Sequence, residues 1–152
     1  MKKLSILFCI FLMGCASTKY YVRGEQASKI VNPQEQLVIV ENTQTRSSFL
    51  ESIENWLDEN GFSYTIVSQR PTDVPYLRYE GRWSWDFTVF LSQGFISLYS
   101  GNKMVSRCKI DAPNNLNFSK FDKSENKIDI MMNLLFYHDN KNNVNVVYED
   151  KE

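Results

Sequence analysis

The segment Ser48-Phe49-Leu50-Glu51-Ser52-Ile53-Glu54-Asn55-Trp56-Leu57 constrains the fold more than any other part of the chain. Phe49, Leu50, Ile53, Trp56 and Leu57 recur at the helical period and so share one face. Glu51, Glu54, Asp58 and Glu59 fall on or near the other side and read as a solvated surface. Ser48 with Glu51 predicts a capping box, and Gly61 predicts a left-handed stop. A β-branched run, Leu37-Val38-Ile39-Val40, precedes this helix, and Phe62 to Val67 follows it; both read as strands. Strand, helix and strand make a crossover unit, right-handed if the strands pair in parallel. Trp56 lies on the apolar stripe and is expected in the core.

Pro71 to Pro75 interrupts the chain, and strand-like segments follow at Tyr76 to Trp85, Phe95 to Tyr99 and Met104 to Ile110. Along Trp83, Trp85, Phe87, Val89 and Leu91 every second residue is large and apolar, with Ser84, Asp86, Thr88 and Ser92 on the other face. Ser100-Gly101-Asn102-Lys103 suits a tight hairpin turn. After a loop, a closing helix runs from about Phe121 to Tyr137, with Ile128, Met131, Met132, Leu135 and Phe136 on one stripe. The expected class is α+β: a mixed, mostly antiparallel sheet with two helices packed on one face, in the order β-α-β-β-β-α.

The amino terminus points to location. Lys2 and Lys3 precede an apolar stretch, Leu4 to Met13, of about ten residues, whereas a membrane-spanning helix needs roughly 20. A basic start, a short apolar run and a small residue make a secretory signal. Leu12-Met13-Gly14-Cys15 then resembles the lipobox of bacterial lipoproteins. The resemblance implies a signal peptide over 1–14, diacylglycerol and palmitate-type chains on Cys15, and a permanent membrane anchor. Ala16, rather than Asp, after the cysteine implies the outer membrane, with the domain facing the periplasm. Residues 15–35 are mixed and polar, and read as a lipidated cysteine with a flexible tether of roughly 25 Å root-mean-square span. The single domain is expected over 36–138. Residues 139–152 read as a polar tail, in which Val144 to Tyr148 either adds an edge strand or stays loose.

Composition narrows the function. The chain carries 17 basic and 18 acidic residues, and losing Lys2 and Lys3 with the signal leaves a net charge of about −3. Without a basic surplus to neutralise phosphates, nucleic acid is not an expected partner. Of the three cysteines, Cys9 leaves with the signal and Cys15 is acylated. Cys108 is left alone, expected as a small core residue on the same face as Met104 and Ile110, the alternative being pairing between chains.

The order of elements and the hairpin Leu98-Tyr99-Ser100-Gly101-Asn102-Lys103-Met104-Val105-Ser106 resemble the amino-terminal domain of TolB and the periplasmic domains of CsgG-like lipoproteins. In those families an open sheet packs helices on one side and the domain docks to other envelope proteins. No signature residue carries over, so no site is transferred. Gly81-Arg82-Trp83-Ser84-Trp85-Asp86 also looks like small lipoproteins of gamma-proteobacteria.

The chemical inventory is thin. His138 is the one histidine; at the end of the closing helix, a cation there is stabilised by the helix dipole. No cysteine and histidine cluster suits zinc, no Gly-x-Ser-x-Gly elbow is present, and the six glycines form no phosphate loop. No cofactor, metal or catalytic residue is therefore expected. Arg82, Trp83, Trp85 and Asp86 are the candidate contacts. As an exposed patch they suit an interface, because Trp and Arg dominate hot spots. As core, the two tryptophans lie under the helices on the face of Phe87 and Val89, with Arg82 and Asp86 a solvated pair. The expected function is a non-enzymatic, membrane-anchored envelope lipoprotein that docks to a protein partner as an accessory or assembly factor. The alternative is a lipoprotein binding a glycan or lipid in an aromatic-lined groove.

Overall fold

A computed structural model describes residues 17–112 and 122–150. The elements run β1 (Lys19–Gly24), a 3-10 turn (Ala27–Lys29), β2 (Leu37–Val40), α1 (Ser47–Glu59), β3 (Tyr64–Val67), β4 (Tyr76–Asp86), β5 (Thr88–Ser100), β6 (Lys103–Asp111), α2 (Ser124–Tyr137) and β7 (Asn145–Glu149). The strands form one seven-stranded sheet in the order β3-β2-β4-β5-β6-β1-β7. Pairing is parallel at β2–β3, β2–β4 and β1–β7, and antiparallel at β4–β5, β5–β6 and β6–β1. The fold is α+β.

The helices cover the face of the sheet that carries its apolar rows. Leu77, Leu98 and Ser106 form one row across β4, β5 and β6. Tyr79, Ile96, Cys108 and Val22 form the next, reaching β1. In the third row Gly81 and Gly94 face each other, followed by Ile110 and Tyr20. The two glycines make room for the Phe49 ring of α1: a Cβ on Gly81 would lie 2.6 Å from Phe49 Cδ2, and one on Gly94 3.3 Å from Phe49 Cε2. Trp56 ties the helices together, its ring 4.9 Å from that of Phe136, with its indole N–H donating to Asn133 Oδ1 at 3.3 Å.

Helix α1 stops as its glycine requires. Gly61 sits at φ +73, its N–H donates to Asp58 O, and the Phe62 N–H reaches Leu57 O. These bonds are the paired closure of a Schellman end. The start differs from expectation: the cap residue is Arg46 with no side-chain cap bond, and Ser48 lies inside the first turn. Thr45, one residue before the cap, has its hydroxyl oxygen taken by the Gly81 N–H, joining α1 to β4.

Two further expectations are corrected and one open alternative is decided. Residues 19–24 of the proposed tether are a strand between β6 and β7, with Tyr20 and Val22 buried, and Ala27 and Val31 are buried after it. The apparent lack of period came from a strand in which only two side chains face the core. Of the two alternatives for Val144 to Tyr148 the edge strand is the one observed: Asn145–Glu149 pairs with β1 in parallel and forms the sheet edge. The domain therefore reaches well beyond 36–138 at both ends. Cys108 is buried beside Ile110, but Met104 is not on its face. A bulge at Val105 pairs Met104 with Tyr99 and moves it to the opposite side of the sheet. The signal segment, Cys15 and Phe121 lie outside the described residues.

Candidate functional site

The alternation from Trp83 to Leu91 is not one strand. The chain reverses at Phe87, so that Asp86 faces Thr88, Trp85 faces Val89, and Trp83 faces Leu91. A period-two pattern continued through an odd apex keeps its large residues on one face of the hairpin. A register shift between Arg82 and Trp83 marks the base of this tip. There Ser92 donates its hydroxyl to Arg82 O at 2.9 Å.

The four candidate residues part company in this geometry. Trp83 is half-buried: its ring meets Phe49 edge-on at 6.1 Å, and the Arg46 guanidinium lies 5.3 Å above it. Trp83 therefore finishes the core. Trp85, expected there by alternation, is 72% exposed, because the tip extends past the end of α1's cover. With it stand Val89, 44% exposed, and Phe87, 89% exposed. Arg82 pairs with Glu80 at 3.4 Å, and Asp86 lies half-buried beside the apex.

Phe87 is the residue that sequence reasoning passed over. Its φ is +59, a left-handed conformation that a bulky side chain adopts at a cost of order 1–3 kcal/mol. An apolar ring held there and left in water serves no folding purpose. The near-symmetric Trp-Ser-Trp-Asp-Phe-Thr-Val-Phe around position 87 was the available signal. The base of the tip is braced by Lys127 of α2, which is buried. Its ammonium donates to Leu91 O at 3.3 Å and lies 5.6 Å from the Phe90 ring centroid. Burial lowers its pKa to about 8, with Asp122 opposing the shift.

The second feature is the sheet face opposite the helices. Arg78, Glu80 and Arg82 on β4 share it with Phe95 and Tyr99 on β5, Arg107 and Lys109 on β6, and Lys19, Tyr21 and Arg23 on β1. Its cations lie on its rings: Arg107 is 4.4 Å from the Phe95 centroid, Lys109 5.6 Å from Tyr21, and Arg78 5.8 Å from Tyr99. Such stacking holds the cations in place while leaving their charge outward. Basic side chains outnumber the acids Glu80, Asp111 and Glu149, whereas α1 on the other side presents Glu51, Asp58 and Glu59. The molecule is thus polar in charge, basic on the sheet and acidic on the helix.

A shallow depression of about 220 Å³ on this face is lined by Glu80, Arg82, Gln93, Phe95, Arg107 and Lys109, with Gly94 at its floor. Phe95 is the one aromatic among the lining residues, and neither Trp83 nor Trp85 takes part. Arg107 Nε and Ser97 Oγ are buried and have no hydrogen-bond partner among the described residues, so the face retains polar capacity. A larger depression of about 400 Å³ lies at the other end of the sheet among Arg23, Glu25, Ile30, Lys103 and Met104.

His138 ends α2 in a left-handed conformation at φ +52, its N–H donating to Leu134 O. Its imidazole is not the stabilised cation that the helix dipole suggested. Burial first, and Lys29 second, hold its pKa below the ordinary value. Among the described residues no group of three or more His, Cys, Asp or Glu side chains is placed to hold a metal ion. Nor is any described helix long and apolar enough to cross a membrane.

Compared with protein-family models, the chain matches none. Compared with curated proteins, it likewise matches none.

Proposed function

We propose that this chain is a non-enzymatic envelope lipoprotein, acylated at Cys15, whose basic sheet face docks to an acidic surface of a protein partner as an accessory or assembly factor. The observation that carries the docking reading is the open sheet face itself. Arg78, Arg107 and Lys109 are pre-positioned on aromatic rings, and Arg107 Nε has no hydrogen-bond partner among the described residues. Pre-positioned cations lose little side-chain entropy on binding, and complementary charge raises encounter rates and rejects wrong partners. Lipidation rests on the Leu12-Met13-Gly14-Cys15 motif behind its short apolar run.

The alternative, a glycan or lipid in an aromatic-lined groove, finds less support, since Phe95 alone among the rings lines the depression on this face. In-cell photocrosslinking tests the docking reading. Crosslinkers at Arg82 and Lys109 are expected to capture the same single envelope protein, while one at Asp58 on the acidic helix captures nothing in common. Equal capture from Asp58, or none from either sheet position, refutes it.

A further inference from the structure

We infer that the β4–β5 hairpin tip is a second membrane contact, with Trp85, Phe87 and Val89 entering the lipid interface beside the acylated Cys15. The inference rests on the lipoprotein reading above and adds to it the orientation of the domain.

Topology brings the amino-terminal end of β1, from which the chain leads back toward Cys15, and the tip to one end of the sheet. Arg82 pairs with Gln93, Gln93 with Asp111, Asp111 with Lys19, and Lys19 with Asn145, so one row crosses β4, β5, β6, β1 and β7. Beyond that row β4 continues to Asp86 and turns at Phe87. Strand β1 runs the other way, from Lys19 down to Gly24, so the chain before Lys19 leaves past the same row on the tip side. Ser17 is still held there, accepting a hydrogen bond from Asn145 Nδ2 at 3.2 Å.

Chain lengths agree. Phe87 stands five residues past the row, about 16 Å at the strand rise. Cys15 stands four residues before Lys19, within about 14 Å of the row when extended. Strands β4 and β1 are separated by β5 and β6, placing the two roughly 15 Å apart across the sheet. With β1 folded into the sheet, no long spacer separates the acylated residue from the domain. A lipid surface that takes up acyl chains at Cys15 therefore meets the tip as well.

The chemistry of the tip suits that surface. Tryptophan and phenylalanine on an exposed apolar edge are the residues that settle at the headgroup boundary, several ångströms deep. The tip is two strands wide, and Phe87 at its apex is 89% exposed with positive φ, strained in a way that water does not reward. Lys19 is exposed at the same end to meet anionic headgroups, with Asp86 and Asp111 as the acids nearby. A protein occupant of the tip is the competing outcome.

The test uses the full chain, acylated in cells, purified and reconstituted into vesicles of phosphatidylethanolamine and phosphatidylglycerol, with and without bromine on the acyl chains. Trp56 is buried and Trp83 half-buried, so the difference between wild type and Trp85→Phe isolates the emission of Trp85. Brominated lipid is expected to quench most of that emission, and Phe87→Gly, whose backbone accepts the turn, is expected to reduce the quenching while the fold stays intact. Intact mass reads the acyl chains on Cys15. Unmodified Cys15 overturns the lipoprotein reading and this inference together. Acylated Cys15 with unquenched Trp85 overturns the inference alone and leaves the tip to a protein.

Discussion

Val22→Ala asks whether the segment after the lipidation motif is part of the fold. Val22 is 1% exposed and sits opposite Cys108 on β6 and Tyr148 on β7. The substitution removes two carbons, about 1.6 kcal/mol of transfer free energy at about 0.8 each. Hydrogen-bonded neighbours on both sides keep the strand from collapsing inward. A residual void of roughly 40 Å³ then adds about 1 kcal/mol. The expected loss is about 2–3 kcal/mol, lowering the midpoint of thermal unfolding by roughly 10 °C in a domain of this size. Urea unfolding of the full chain, followed by the fluorescence of Trp56, measures it, with Gln34→Ala in the exposed loop as control. The denaturant slope is expected to stay unchanged. A loss below about 0.5 kcal/mol, equal to the control, is what a surface tether gives, and refutes the placement of β1.

Two further perturbations test the packing and the cap. Gly81→Ala puts a methyl 2.6 Å from Phe49 Cδ2 and 2.8 Å from Trp83 Cζ3, so a loss of about 1–3 kcal/mol is expected. Pairing it with Phe49→Leu is expected to recover part of that loss, and wild-type stability for Gly81→Ala alone disproves the cradle. For His138, burial lowers the folded pKa below 6.5, so the unfolded chain takes the proton first as pH falls. Stability is expected to drop from about pH 6.5 downward by this group, and His138→Asn, which tolerates the left-handed backbone, is expected to flatten that part of the profile. Identical profiles for the two proteins between about pH 7 and pH 5 contradict it.

The local elements were readable because their signals are local. The apolar stripe from Phe49 to Leu57 needs only a period, and Gly61 only a φ, to place α1 and its end. The turn at Ser100 to Lys103 and the parallel crossover from β2 to β3 follow from turn chemistry and a helix between two strands. The proposal of acylation rests on adjacent residues too, Leu12 to Cys15. β1 escaped, and β7 was left as one of two alternatives, because both are strands only through pairing with distant segments. β1 pairs with segments far along the chain, and its two buried side chains, like the single half-buried Val146 of β7, are too few to mark a period.

The candidate site divided on the same line. Sequence singled out Arg82, Trp83, Trp85 and Asp86 by composition and alternation, and alternation is blind to where a strand reverses. The turn at Phe87 carried Trp85 beyond the cover of α1 while leaving Trp83 against Phe49. Arg107, Lys109 and Phe95 became neighbours of Arg82 through pairing alone. By itself the sequence determined the kinds of element, since these depend on neighbouring side chains. Only the tertiary structure decided which end of the sheet receives the amino terminus and which rings are left in water, because register and layer cover are settled between residues far apart in the chain.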